Sequence, residues 1–384
     1  MSMSVYFDNA ATTPLAPEVL DAMLPYMKEH FGNPSSIHTH GRKTKSALEK
    51  ARKKVAELLN TSPSEIFFTS GGTEADNFAI MRSIDTFGLT HAITSPLEHH
   101  AVLHTLEHLE KTGKIKLSLI NIDERGNLDH DHLQQLLENN PRSLVSIMHG
   151  NNEVGNLSDM ERIGALCREH KALYHSDTVQ TMGHYVHDLQ KLEVDFLVGS
   201  AHKFHGPKGI GFLYVNANSK IQPMIHGGAQ ERNMRGGTEN LYGIIGLATA
   251  LELAYQDMAE HRATVEKLKS RMIEQLKQKV AGVGFNGESA DLDKSLYTVL
   301  NVCLPPNDGG DMLVFNLDIN QISASAGSAC SSGSDVGSHV LQALKRPKER
   351  GAVRFSFSRY NTTQEVDYVV DKLAEMYATK PVVQ

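Results

Sequence analysis

The chain has 384 residues, 40% hydrophobic and 22% charged, with a formal net charge of -7 at pH 7. That length sets a prior of two or three domains with room for a deep site, and the acidic balance argues against a nucleic-acid or acidic-membrane surface. The three cysteines, Cys167, Cys303 and Cys330, show no paired short spacing, which excludes a disulfide framework or zinc knuckle and fits a reducing compartment. Met1-Ser-Met-Ser-Val-Tyr-Phe-Asp8 lacks the basic start and apolar run of a signal peptide. No stretch approaches the roughly 18 apolar residues of a membrane helix. The expected place is the cytoplasm, with neither nucleic acid nor membrane as partner.

In chain order, Arg42, Lys43, Lys45, Lys50, Arg52, Lys53 and Lys54 fall on an amphipathic stretch with Leu48, Val55, Leu58 and Leu59 as its apolar stripe. This predicts a helix with a solvated basic face. Short apolar runs predict strands at 65–69, 91–94, 117–121, 144–148, 172–176 and 196–199, with helical segments between most of them. Such alternation predicts a largely parallel sheet with helices on both faces. Residues 244–276 read as one helical stretch, continuous or broken once, and strands at 295–303 and 353–357 then suggest a smaller α+β unit. The expected division is 15–260 for a large domain and 1–14 with 261–384 for a small one.

Three stretches carry chemistry. In Ser200-Ala-His202-Lys203, a lysine at a strand end can act as an amine nucleophile, with Ser200 and His202 as phosphate donors. A surface lysine in a turn is the alternative. Ser70-Gly-Gly72-Thr73 places a Gly-rich turn before a helix, a ready anion site, or else a simple helix cap. Asp177 follows a strand end, where open α/β sheets bind ligands, and could pair with a pyridinium nitrogen. A phosphate loop, a lysine and such an aspartate form the kit of pyridoxal phosphate. His99-His100 and the pair His202 and His205 lack further ligands at metal spacing, so no intrinsic metal site is expected.

Asp177 with Ser200-Ala-His-Lys203 resembles the core of class V aminotransferase-type pyridoxal-phosphate enzymes. The fuller set resembles cysteine desulfurases of the NifS/IscS kind. It comprises Tyr6-Phe-Asp8-Asn-Ala-Ala-Thr-Thr-Pro14, Phe31-Gly-Asn-Pro-Ser-Ser36, Ser70-Gly-Gly-Thr73-Glu74, Glu98-His99 and Met148-His-Gly-Asn151-Asn152-Glu-Val-Gly155. It continues through His226-Gly-Gly-Ala-Gln-Glu-Arg-Asn-Met-Arg-Gly-Gly-Thr238, Gly327-Ser-Ala-Cys330-Ser-Ser and Val353-Arg354-Phe-Ser. The resemblance implies a fold-type I enzyme of the α/β class, with a mostly parallel central sheet and a smaller α+β domain. It implies that Lys203 binds the cofactor covalently, Asp177 holds its ring nitrogen, Gln180 contacts its phenolic oxygen and His99 stacks on the ring and assists proton transfer. Gly72, Thr73, Ser200 and His202 would hold the phosphate together with Thr238 of the partner subunit, which implies a homodimer. Asn152 would sit near ring and substrate, and Arg354 would clamp the carboxylate of L-cysteine.

Cys330 lies among small and polar residues, Ser323-Ala-Ser-Ala-Gly-Ser-Ala-Cys-Ser-Ser-Gly-Ser-Asp-Val-Gly-Ser338, and is expected on a mobile loop. Cys167 and Cys303 read as core residues. The resemblance implies that Cys330 takes sulfur from cysteine as a persulfide, leaves alanine and passes the sulfur to an acceptor protein. Cys330 could also ligate an iron–sulfur cluster transiently during transfer. Other readings are a lyase or aminotransferase of the same fold, or a non-catalytic sulfur-pathway scaffold. Gly333-Ser-Asp-Val-Gly stands where Ala-Leu-Glu-Pro is common, and the chain ends soon after Lys380. Both departures leave the acceptor open, as does any activity on selenocysteine.

Overall fold

A computed structural model of the chain describes residues 3–307, 312–326, 337–347 and 349–378. The elements up to the main sheet's last strand are β1 (Val5–Tyr6), α1 (Pro17–Lys28), α2 (Thr39–Leu58), β2 (Ile66–Thr69), α3 (Gly72–Phe87), β3 (His91–Thr94), α4 (His100–Lys111), β4 (Lys116–Leu119), α5 (His130–Asn139), β5 (Leu144–Ser146), α6 (Met160–Glu169), β6 (Leu173–Asp177), β7 (Phe196–Ser200) and β8 (Gly211–Val215). There follow α7 (Leu241–Gln256), α8 (Met258–Lys279), β9 (Gly284–Phe285), β10 (Val299–Leu304), α9 (Leu313–Ile319), β11 (Ile322–Ser323), α10 (His339–Ala343), β12 (Gly351–Ser356) and α11 (Thr363–Tyr377).

Seven strands form one sheet in the order β2-β8-β7-β6-β5-β3-β4. Only β8 runs against the others, pairing antiparallel with both β2 and β7. The C-terminal ends of β2, β3, β5, β6 and β7 therefore share one edge, the edge at which open α/β sheets take ligands. The strands are short and, apart from the edge strand β4, buried on both faces, as helix-covered parallel sheets require. Short polar side chains start several helices by accepting a free backbone N–H: Asp129 from His132, Asp159 from Arg162, and Asn240 from Gly243.

A second set of strands stands apart from this sheet. β12, β10 and β9 form an antiparallel sheet, and β1 pairs parallel with β11. Their core joins Val5 and Phe7 to Val265, Met272, Leu300, Val353, Phe355 and Val369. Phe7 packs edge-on to Phe355 and Phe357, with ring centroids 6.2 and 5.0 Å apart. This contact binds the N-terminal segment to the C-terminal strands and leaves residues 8–14 beside the edge of the large sheet.

Several sequence expectations need correction. The basic helix α2 is not solvated all along its charged face. Arg52 is buried and donates to both carboxylate oxygens of Glu231, at 2.7 and 2.8 Å. The stretch 244–276 needs no correction: it is broken once, at Asp257 between α7 and α8, one of the two forms expected. The strand expected at 295–303 begins only at Val299, because Ser295 Oγ is drawn into bonds with the Asp291 carbonyl and Lys269 Nζ. Strand β8 went unread, its apolar run being short and preceded by Gly-Pro-Lys-Gly.

Candidate active site

Five strand ends and the N-terminal segment converge on one cleft. It is lined by Ala10, Ala11, Gly72, Thr73, Asp76, His99, Met148, Gly150, Asn152, Asp177, Val179, Gln180, Ser200, His202, Lys203 and Arg354. Each of those strand ends supplies a part. β2 leads through Ser70-Gly71 into α3, whose first residues are Gly72 and Thr73. No side chain caps this helix, so its first N–H groups are left for a ligand. A Cβ at Gly72 would meet Val179 Cγ2 at 2.8 Å, so the missing side chain is what lets the helix start approach the turn after β6. Ser200 and His202, at the end of β7, border the same space.

Lys203 follows directly, and its Nζ donates to the carbonyls of Ala10 at 2.5 Å and Ala11 at 2.9 Å. Gln180 Nε2 donates to the same Ala10 carbonyl at 2.9 Å. The N-terminal segment is thus a wall of the site, a role not read from its sequence. Asp177 closes β6, is buried, and accepts from the Val179 amide at 2.8 Å. Burial pushes its carboxyl up to about 6, against the Val179 amide and the Lys203 charge, which favour the carboxylate.

Two buried acids beside it were also unread. Burial holds Asp76 and Glu98 well above the ordinary carboxylate range, and Asp177 adds to the effect on both. Glu98 is nonetheless anchored, accepting from the Met148 amide at 2.9 Å. Asp76 Oδ1 approaches His175 Nε2 to 3.3 Å, but the two are not aligned to bond. Burial also drives His175 down to about 3, so its ring is neutral at pH 7 and this approach is not an ion pair. The other ring nitrogen of His175 bonds Ser146 Oγ at 2.8 Å.

His99 caps α4, accepting from the Ala101 amide at 3.2 Å through Nδ1. Burial and then the Lys203 charge bring it down to about 4, so its ring is neutral at pH 7. His202 behaves alike, and its Nδ1 bonds Thr12 Oγ1 at 3.2 Å. Arg354 reaches the cleft from β12, with Nη2 on Asp8 Oδ1 at 2.7 Å and Nη1 on the Asn152 carbonyl at 2.9 Å. Asn151, the neighbour of Asn152, is turned away from the cleft, donating to the Leu97 carbonyl and capping the Glu153 and Val154 amides. His205 bonds the Pro14 carbonyl outside the cleft lining.

Thr238 is exposed and does not line this cleft. Cys330 and the motif around it, residues 327–332, lie outside the described residues, as does the tail from 380 onward. Cys167 and Cys303 are buried, on α6 and β10. Among the described residues no group of three His, Cys, Asp or Glu side chains could hold a metal ion, and no helix is long and apolar enough to cross a membrane.

The class-V aminotransferase family model matches residues 5–369. A cysteine desulfurase IscS from Dictyoglomus turgidum is 42% identical over 378 residues, spanning 97% of this chain and 94% of the relative. The chain belongs to the class-V aminotransferase family, in its cysteine desulfurase branch. An IscS of Methanosarcina thermophila is 43% identical over 377 residues, covering 97% of this chain and 92% of that one. The fold of this branch is equally plain in solved structures. A NifS-like protein superposes with a TM-score of 0.89 at 39% identity, over 97% of this chain and 99% of its own. SspA, solved in complex with cysteine, gives 0.82 at 32% identity over 94% of this chain and 100% of its own. The architecture is accordingly the expected fold-type I arrangement, a mostly parallel sheet between helices.

The neutral histidines carry a consequence for stability. His175 and His205 are depressed to about 3 and His184 to about 4, all first by burial. Between roughly pH 6.5 and 4 the unfolded chain binds protons that the folded chain refuses. Stability is therefore present above pH 6.5 and is lost as pH falls through that window, by up to roughly 1.4 kcal/mol per pH unit for each group. Melting temperatures of the chain taken from pH 7.5 to 4.5 should fall steeply below pH 6.5. A flat profile would show that these rings are protonated, or solvated, in the fold.

Proposed function

We propose that the chain is a pyridoxal-phosphate-dependent cysteine desulfurase, converting L-cysteine to L-alanine and leaving a persulfide on Cys330. The observation that carries this reading is the convergence of Lys203, Asp177, His99 and Arg354 with an uncapped helix start in one cleft. The donor set fits the cofactor. Free N–H groups of α3 with Thr73, Ser200 and His202 suit a phosphate dianion. Asp177 suits a ring nitrogen, Gln180 a phenolic oxygen, and Lys203 an aldehyde. His99 and Asn152 would flank the ring. Bound there, the cofactor supplies an electron sink that lets the Cα proton leave and the Cβ–S bond break.

The chain's own residues do the rest. Arg354 orients the substrate carboxylate. Its buried Nε has no partner and is a donor in reserve for that group. Lys203 Nζ takes and returns the proton at Cα, and neutral His99 can accept or donate one near the substrate thiol. Cys330 sulfur forms a bond to the substrate sulfur as the Cβ–S bond breaks. The Cβ carbon gains a proton and becomes the alanine methyl group. The two sulfurs end as a persulfide, so Cys330 is oxidised as the substrate carbon is reduced. The outer sulfur then passes to an acceptor protein, for which an iron–sulfur assembly scaffold is the favoured class.

Two further parts belong to this reading. Residues 15–260 would be the cofactor-binding domain, and 1–14 with 261–384 the smaller one, a division supported by the two separate hydrophobic cores. The chain would work as a homodimer in which Thr238 of the partner subunit reaches the phosphate. Support comes from the exposure of Thr238 and of large apolar side chains, with Phe31 at 75% and Ile37 at 91%.

Arg354→Lys tests the carboxylate clamp while keeping the buried charge. A lysine cannot form the two-pronged pairing. The loss of one charged hydrogen bond, about 1.5–3 kcal/mol, should raise KM for L-cysteine about tenfold or more. Saturation by cysteine at unchanged concentration would make Arg354 a structural residue of β12 only.

A further inference from the structure

Arg354 is 1% exposed in its side chain and enters the cleft already paired with Asp8, which is 19% exposed. The Asp8 oxygen that takes Arg354 Nη2 at 2.7 Å also accepts Ser325 Oγ at 2.9 Å. Ser325 is held to Arg354 by the backbone as well. The Arg354 amide donates to the Ser325 carbonyl at 2.6 Å, and the Ser325 amide returns a bond at 3.3 Å. Asp8 itself is fixed from behind, its carbonyl accepting from the Ala11 amide at 3.0 Å and Tyr6 Oη at 3.2 Å. One carboxylate oxygen thus joins the N-terminal segment, strand β12 and a residue that stands five positions before Cys330 in the sequence.

We propose that Asp8 is a positioning residue for binding of the substrate carboxylate. Through Oδ1 it sets the orientation in which Arg354 meets the substrate carboxylate. The inference deepens the desulfurase reading and rests on it.

The physical case is one of charge and of geometry together. A buried guanidinium needs an anionic partner, and without one its cost is large. A single bond to one Nη satisfies that need and leaves the rest of the planar fork for a second carboxylate. Asp8 therefore holds the clamp without occupying it. The Asn152 carbonyl on Nη1 fixes the other arm, so the guanidinium plane is defined before substrate arrives. Pre-set geometry of this kind is what carboxylate recognition gains from arginine. The adjoining Ala10 and Ala11 carbonyls hold Lys203 Nζ, so Asp8 sits at the junction of clamp and lysine.

Asp8→Asn and Ser325→Ala, each prepared as holoenzyme, separate positioning from mere charge balance. L-Alanine, the product, carries the same carboxylate and has no Cβ–S bond to break, so its binding by calorimetry reads the clamp without sulfur transfer. Asp8→Asn should retain the cofactor absorption band and weaken L-alanine binding at least about tenfold, the equivalent of about 1.4 kcal/mol. KM for L-cysteine should rise in parallel. Ser325→Ala, which leaves the Asp8–Arg354 ion pair in place, should keep L-alanine binding within about twofold. Wild-type L-alanine affinity in Asp8→Asn overturns the role at the clamp. A loss in Ser325→Ala as large as in Asp8→Asn would also overturn it, since the ion pair would then not be what sets the clamp. Should Asp8→Asn fail to fold, Asp8→Glu keeps the charge on a longer arm and displaces the oxygen. It should weaken L-alanine binding, and unchanged affinity would again overturn the proposal. If the wild type forms no alanine from cysteine, the desulfurase reading fails by itself, while L-alanine binding still decides the role of Asp8.

Discussion

Replacing Lys203 with alanine is expected to abolish turnover of cysteine, lowering alanine release by at least about a hundredfold, the lower range for loss of a positioned proton-transfer group. Loss of covalent attachment of the cofactor should deepen the defect. Among the described residues no other lysine lines the cleft, so none can take over from the next turn. The position is also specific. Lys203 ends the single helical turn that follows β7, and its Nζ sits on two carbonyls of the N-terminal segment, within the electrostatic reach of Asp177 and His99. The check is borohydride reduction of the holoenzyme followed by peptide mapping. Wild-type protein should carry the reduced adduct on the Lys203 peptide, and Lys203→Ala should carry none. An adduct at another lysine, or alanine release at the wild-type rate, would move the catalytic amine elsewhere.

Cys330→Ser should separate cofactor binding from sulfur transfer. The variant should fold, hold the cofactor and bind cysteine, because the cleft residues are all intact. A serine hydroxyl is a poor nucleophile towards thiol sulfur at neutral pH, so persulfide should be absent and alanine should fall to background. Cys167 and Cys303 serve as internal controls. Cys167 is buried on α6, and burial pushes its thiol far above the usual range, away from the reactive thiolate. Cys303 lies on β10, where its sulfur accepts from Arg350 Nε at 2.9 Å. Serine at either position should preserve activity, with a modest loss of thermal stability read by melting. Full alanine production by Cys330→Ser would remove the thiol from the reaction.

Much of this was legible because local signals agreed with the fold. Ser70-Gly-Gly-Thr73 read as a strand, a turn and a helix start, and β2, Gly71 and α3 form that unit. Asp177 and Lys203 read as strand-end residues, and they close β6 and follow β7. Apart from β8, which has no counterpart among the expected strands, the strands of the large sheet lie within one or two residues of expectation, since their ends depend on pairing rather than composition. What stayed hidden was set by distant parts of the chain. Nothing near Arg52 in the sequence announces Glu231, which turns an apparently solvated arginine into a buried one. The carbonyls of Ala10 and Ala11 carry no side-chain signal, and they become part of the site only because Phe7 anchors that segment on the C-terminal strands. Asp76 carries no signal of its own in the sequence, and its burial beside Asp177 follows from the packing of α3 against the sheet. Pairing of Arg354 with Asp8 likewise needs residues 346 positions apart to meet.

The central claim is that Cys330 takes sulfur from cysteine. Mass spectrometry of the wild-type holoenzyme, digested after a brief exposure to L-cysteine and alkylated to preserve persulfides, tests it most directly. The account predicts one additional sulfur on the Cys330 peptide, appearing with alanine in equal amount before any acceptor is added. An additional sulfur on the Cys167 or Cys303 peptide instead, or alanine formed with no sulfur retained on Cys330, would contradict it.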